Sequence, residues 1–226
     1  MSSMRKTCWT AISITFIAAL SWMAPCEADT KTVVPVGAYA EIDIRLTTAA
    51  VQTFANGTSG EKAKVAASVQ ENAQDYAPPA FYALSKALFD DGHRDEGAFW
   101  FYAGQLRGRF DANRCADSTA RQEVSALNQQ YGTPINQYMI KDLPKWEAVI
   151  DQVIEWDKKT PHHYDPRWIN LHGMNAMLAG LAGKSSPTAS STMSVATSQW
   201  PQIEAQTRAD YLSGFKAAMT QLKSRK

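Results

Sequence analysis

The sequence predicts a mostly α protein, an irregular antiparallel helical bundle with one repeat-like α-hairpin and a short extended or β segment on its N-terminal side. Three observations carry this. Apolar residues recur at spacings of three and four over most of the chain beyond Gly60. Period-two alternation is confined to one short window, where Ile42, Ile44 and Leu46 are interleaved with Asp43 and Arg45. The composition, 45% apolar and 20% charged over 226 residues, is that of a packed globular domain rather than a disordered chain.

The elements follow in order. Arg5 and Lys6 precede an apolar run from Cys8 to about Trp22, and Pro25 and the small-residue exit Cys26-Glu27-Ala28 come next. That is the charged, apolar and cleavage-site order of a secretory signal, here over residues 1–28. The run is shorter than the roughly 20 residues a bilayer span needs. No later segment qualifies, so the mature chain is expected to have no transmembrane span. Cleavage is expected after Ala28, which places the protein in the periplasm or outside the cell. A lipoprotein alternative would begin at Cys26, but Pro25 stands where lipidation signals want a small residue.

Residues 29–60 read as an extended N-terminal segment. Val33, Val34 and Val36 flank Pro35, the alternating window follows, and Thr47 to Phe54 is ambiguous between strand and helix. Asn56-Gly57-Thr58-Ser59-Gly60 reads as a turn. Residues 61–226 then form the helical domain. Val65, Val69, Ala73 and Tyr76 share one helical face, and Pro78-Pro79 ends that helix and opens the next. Phe81, Leu84 and Leu88 stripe the second helix, and Gly92 stands where a left-handed cap would close it. Asp95 is placed to cap a third helix, which carries Ala98, Phe99, Tyr102, Ala103 and Leu106. Further helices are expected at about 118–131, 143–159 and 166–182. The last opens on Asp165-Pro166 and carries the stripe Leu171, Met174, Leu178 and Leu181. A Ser/Thr-rich loop over 184–199 precedes a terminal helix from about Pro201, with Leu212, Phe215, Met219 and Leu222 inward.

The stretch from Pro79 to Leu106 resembles one unit of a SEL-type or tetratricopeptide-like repeat. Ala80, Leu84, Leu88, Phe89 and Gly92 match its first helix, and Ala98, Phe101 and Tyr102 its second. Ser85 stands where the family usually has glycine, and no second copy follows at the expected period. The resemblance therefore implies a single repeat-like hairpin within an irregular helical domain. Such folds commonly bind proteins, and small exported bacterial examples are similar to immunity proteins of type VI effectors, lipases among them.

Candidate chemistry is sparse. Three of the four histidines, His162, His163 and His172, lie within eleven positions of one another near Asp165. Imidazole and carboxylate are zinc ligands. Adjacent histidines in a loop point apart, however, and Asp165 is better employed as a helix cap, so no metal and no cofactor is assigned. Tyr211-Leu212-Ser213-Gly214-Phe215 lacks the glycines of a nucleophile elbow, and Leu178 occupies the first glycine position of the phosphate-loop imitation ending Gly183-Lys184-Ser185. Cys115, the one cysteine beyond the leader, is expected to be buried. The chain is read as non-enzymatic.

Net charge is +1, and it becomes zero when Arg5, Lys6 and Glu27 leave with the leader, so nucleic acid is excluded as a partner. The expected partner is a protein, specifically a secreted toxic effector that this chain would neutralise. A metal or small-ligand binding module and a cell-envelope hydrolase are the alternatives. Aromatic and arginine anchors dominate protein interfaces, which nominates Trp100, Phe101, Arg107, His162, His163, Arg167 and Trp168 as the binding residues. For Trp100, burial between two layers of helices is the competing explanation. Arg107, Arg109 and Arg114, near Asp111 and Asp117, read as a solvated, internally paired surface.

Overall fold

The computed structural model describes residues 33–182 and 192–224. The expected leader over 1–28 and residues 184–191 of the expected Ser/Thr-rich loop lie outside them. The described chain is helical almost throughout, as its periodicity implies, and among the described residues there is no named strand.

The axis of the bundle is a 21-residue helix, Arg94–Arg114, here α4. Gly97, Ala98, Ala103, Gly104, Gly108 and Ala112 are distributed around it with large apolar residues between them, and all six are buried. A helix with small and apolar residues on most of its faces must be covered on most of them. Its neighbours are α3 (Pro78–Asp90), α5 (Gln122–Met139), α6 (Leu143–Lys159) and α8 (Trp200–Lys223). Trp100 and Phe101 both lie in this interior, so burial accounts for the extra aromatic face of α4.

α3 and α4 form the expected antiparallel hairpin. Gly92 takes φ +94°, which an L side chain rarely adopts. Its N–H donates to Phe89 O (3.3 Å) and that of His93 to Leu88 O (2.9 Å), a Schellman closure of α3. Further down, the two backbones nearly touch. A Cβ on Gly97 would lie 2.9 Å from Ser85 O and 3.0 Å from Phe89 N. Ser85, where the repeat family has glycine, uses its buried hydroxyl to donate to Gly97 O (2.6 Å). Asp95 does not cap α4. His93 holds the N-cap position without a side-chain bond, and the Asp95 carboxylate reaches other helices instead.

Most of the expected extended segment is helical. A 3₁₀ turn, Gly37–Glu41, leads into α1 (Arg45–Asn56), and α2 (Ser59–Glu71) follows after Gly57 and Thr58. The period of Thr47, Ala50 and Phe54 prevails over the Ile42-Ile44-Leu46 alternation because α3 offers α1 an apolar face, whereas no strand is available to pair. Thr47 Oγ1 also accepts from Ala77 N (2.9 Å), which fixes α1 to the start of α3. The Asn56–Gly60 turn shrinks to two residues, and a Thr58–Glu61 capping box starts α2.

Two later helices also differ from expectation. α5 passes through Gly132 and Pro134, and Pro134 sacrifices one backbone hydrogen bond. Gly132 is needed there, since a Cβ would come within 2.8 Å of the Phe101 ring. The helix expected over 166–182 is split at Gly173 into a 3₁₀ helix, Pro166–His172, and α7 (Met174–Ala182). The cause is a second N-terminus supplied in trans. Thr119 Oγ1 accepts from Met174 N (2.8 Å) and Asp117 Oδ2 from Asn175 N (3.0 Å). Small residues of α7, led by buried Ala176, then face Tyr39 and Ile42, while Met174, Leu178 and Leu181 of the expected apolar stripe face solvent. α6 spans the residues expected of it, with Asp142 as its cap.

Gly97→Ala is expected to destabilise the fold by about 2 kcal/mol, because backbone atoms cannot yield to the added methyl. Gly214→Ala, with open space around it in α8, is expected to stabilise by about 0.8 kcal/mol through helix propensity. Denaturant unfolding of the two variants beside the parent checks both signs.

Candidate functional site

Two groups of polar and charged side chains stand out, one inside the bundle and one at the tip of the α3–α4 hairpin. The inner group begins with α4. Arg107, Asp111 and Arg114 follow at spacings of four and three, so they share a helical face, and all three are buried. The surface expected of these residues is therefore an interior. Arg107 Nε donates to Asp157 Oδ1 of α6 (3.0 Å), and its other nitrogens donate to Thr160 O (2.6 Å) and Pro161 O (3.3 Å). Its guanidinium also lies 4.4 Å from the centre of a Trp156 ring. Asp111 takes Arg114 on Oδ1 (2.9 Å), and Tyr164 OH (3.0 Å) and Trp168 Nε1 (2.6 Å) on Oδ2. Arg114 further donates to Pro166 O and stacks over Trp200.

Asp157 is the second hub. Arg208 of α8 donates to its Oδ2 (2.7 Å) and also holds Glu204, while His162 Nε2 lies 3.5 Å from Oδ1. Burial pushes the Asp157 carboxyl up, but the His162 imidazole and then the Arg107 charge, with Arg208 behind them, outweigh it and bring the pKa down to about 2.

The histidines do not converge. His162 faces Asp157, His163 Nδ1 lies 3.4 Å from Asp75, and His172 Nδ1 lies 3.0 Å from Glu123. Among the described residues, the cluster that does carry metal-ligand atoms is Asp157, His162 and Glu204, which is not contiguous in sequence and of which the sequence pattern singles out only His162. Arg107 and Arg208 already neutralise its two carboxylates, so a divalent cation would meet two guanidinium charges at close range. The chemistry of this cluster is that of a structural ion network.

Four of the seven nominated binding residues, Trp100, Phe101, Arg107 and Trp168, are buried and cannot touch a partner. His162 is half-buried between the rings of Phe110 and Tyr164. His163 is exposed, and Arg167 is half-buried and forked onto Asp165, which caps the 3₁₀ helix as expected. Trp100, Phe101 and Arg107 are consumed by the interior around α4, and Trp168 by its bond to Asp111. Cys115 is buried, and that burial pushes its thiol up.

The outer group was missed because its members come from three helices. At the hairpin tip, Gly92, His93, Arg94, Asp95, Glu96 and Tyr138 line an open hollow of about 620 Å³. A second of about 350 Å³ shares Asp95 and Glu96 and adds Phe99, Lys145 and Gln152. Asp95 is the hinge between them. Its Oδ1 accepts from Tyr138 OH (2.7 Å) and Lys145 Nζ (3.0 Å), so α4, α5 and α6 are fixed to one another. The Tyr138 hydroxyl, helped by Lys145 against the cost of burial, holds the Asp95 carboxyl below the usual range. Arg94 lies over the rings of Phe89 (5.7 Å) and Tyr138 (5.8 Å). The result is a shallow, preformed surface of arginine, tyrosine and paired charge. Comparison with protein-family models, curated proteins and solved structures finds no significant match to this chain.

Asp157 stabilises the fold only while ionised. Because its folded pKa, about 2, lies below its ordinary 3.8, its contribution is complete above about pH 4 and is lost as pH falls towards 2. That amounts to about 2 kcal/mol. Asp157→Asn is expected to lose about 3 kcal/mol at neutral pH, leaving Arg107 buried without its counter-charge, and to lack this acid step. Urea unfolding between pH 2 and 7 measures both. Excess Zn²⁺ is expected to leave the unfolding temperature of the parent unmoved, since both carboxylates are already engaged.

Proposed function

We propose that this chain is an exported, non-enzymatic protein-binding protein of immunity type, which neutralises a secreted antibacterial effector by occluding its catalytic cleft, with a lipase as the first candidate. The observation that supports a docking role is the hairpin-tip surface. Arg94, Tyr138 and Phe99 are of the residue types that anchor interfaces; the Asp95–Tyr138–Lys145 network holds Tyr138 in place, and the rings of Tyr138 and Phe89 position Arg94. Preorganisation of this kind lowers the ordering cost of association. The secretory-type leader supports the export part of the reading, and the resemblance to helical-repeat immunity proteins supports the choice of partner.

The mixed charge of the tip has a consequence for recognition. With Asp95 and Glu96 beside Arg94 and Lys145, a partner is selected by where its charges fall and not by their sum. A chain with no net charge in its mature form cannot rely on its overall field for capture.

The test is protection. A toxic effector encoded beside this gene, directed to the periplasm of a sensitive host, is expected to stop growth, and co-expression of this chain to restore it. Arg94→Glu combined with Tyr138→Ala is expected to weaken binding of that effector about 100-fold in calorimetry and to abolish protection, with the folded signal retained. Growth arrest that the parent chain fails to relieve would refute the immunity reading.

A further inference from the structure

The charged side chains that line the two hollows of the hairpin tip are engaged, with one exception. Asp95 accepts from Tyr138 and from Lys145, which reaches both of its oxygens. Glu96 accepts from the Gln70 amide, and His93 faces Asp91. Arg94 is different. Its guanidinium lies over the rings of Phe89 and Tyr138, and among the described residues no carboxylate or carbonyl accepts from it. The first hollow therefore contains a cation that two rings position and whose donors are open to solvent. The adjoining hollow shares Asp95 and Glu96 but adds three apolar residues, Phe99, Ala148 and Val149.

We infer that the tip recognises a protein segment that presents one aspartate or glutamate beside one apolar side chain, the carboxylate forked onto Arg94 and the apolar group seated against Phe99 and Ala148. This rests on the docking role proposed above and names the chemistry of the partner. Charge complementarity selects the occupant. A carboxylate meets a guanidinium through two parallel N–H···O bonds, each about twice as strong as a neutral hydrogen bond. Because the rings already hold the guanidinium, less freedom is lost when the carboxylate arrives. The incoming charge must be single. Asp91, Asp95 and Glu96 flank Arg94 in the chain, so a phosphate or a polyanion would set several like charges against one open cation. A basic segment would find Asp95 and Glu96 already engaged. Since the hollows share those two residues, both anchors of the segment lie on one of its faces.

Panning a phage-displayed random-peptide library on the full chain is the test, and it needs no effector. Enriched peptides are expected to share an acidic residue close to a leucine or an aromatic residue. For one such synthetic peptide, calorimetry is expected to show about 30-fold weaker binding to Arg94→Gln. Removing the peptide carboxylate is expected to cost nothing further in that variant, which a general loss of surface contact would not produce. Ala148→Trp, which fills the second hollow from an exposed position, is expected to abolish binding with unchanged circular dichroism. Arg121→Gln, which alters an exposed arginine beyond the far end of α4, is expected to bind as the parent does. Enriched peptides without an acidic residue, or no enrichment over the Arg94→Gln variant, would overturn the inference. If the peptides behave as expected and protection against the effector fails, the immunity reading falls alone.

Discussion

Arg107, Asp111 and Arg114 occupy consecutive turns of one face of α4 away from water, and an unneutralised charge in such a place costs several kcal/mol. The chain around α4 is therefore arranged first to neutralise them. Asp111 and Arg114 answer each other within the helix. Arg107 requires α6 to deliver Asp157, and Asp157 in turn holds Arg208 of α8. The segment from Thr160 to Trp168 is fixed by the same need, because it contributes three backbone carbonyls, a tyrosine hydroxyl and an indole N–H to these groups. A stretch with little regular structure is thus immobilised by its bonds to buried charge.

This arrangement divides the labour among the aromatic residues. Phe81 and Trp156 pack edge to face and flank the guanidinium of Arg107, and Trp100 packs against both rings. Trp168 and Tyr164 instead use their polar ends as donors to Asp111. The side chains that look most like interface anchors in the sequence are the ones the core consumes. At the hairpin tip, by contrast, aromatic rings are only half covered and charges are paired at the surface.

The sequence made the α-helical class, the α3–α4 hairpin and the bounds of α6 legible, because strong periodicity there coincides with Pro, Asp and Gly punctuation. It misjudged α1, where a short alternation competed with a helical period that only the apolar face of α3 could favour. The break at Gly173 was invisible for a similar reason, since its caps, Asp117 and Thr119, lie more than fifty residues away. The buried ion network was legible only in part. Arg107, Asp111 and Arg114 at four and three are a visible helical set, but an i, i+4, i+7 charge pattern reads as solvent-facing unless the apolar content of the opposite faces is weighed with it. Asp95 drew a capping reading that its real bonds to other helices displaced, and Tyr138 and Lys145 gave no local signal, because three different helices bring the three together.

The end of α4 holds a further consequence. Ala116 N donates to Met193 O and Val195 N to Arg114 O, so residues 192–195 lie across the last turn of the helix and over Cys115, whose Sγ donates to Asp117 O. A thiol reagent reaches that sulfur only when this short flap lifts. The contacts of 192–195 with the end of α4 therefore govern how far Cys115 is open to reagents from that side.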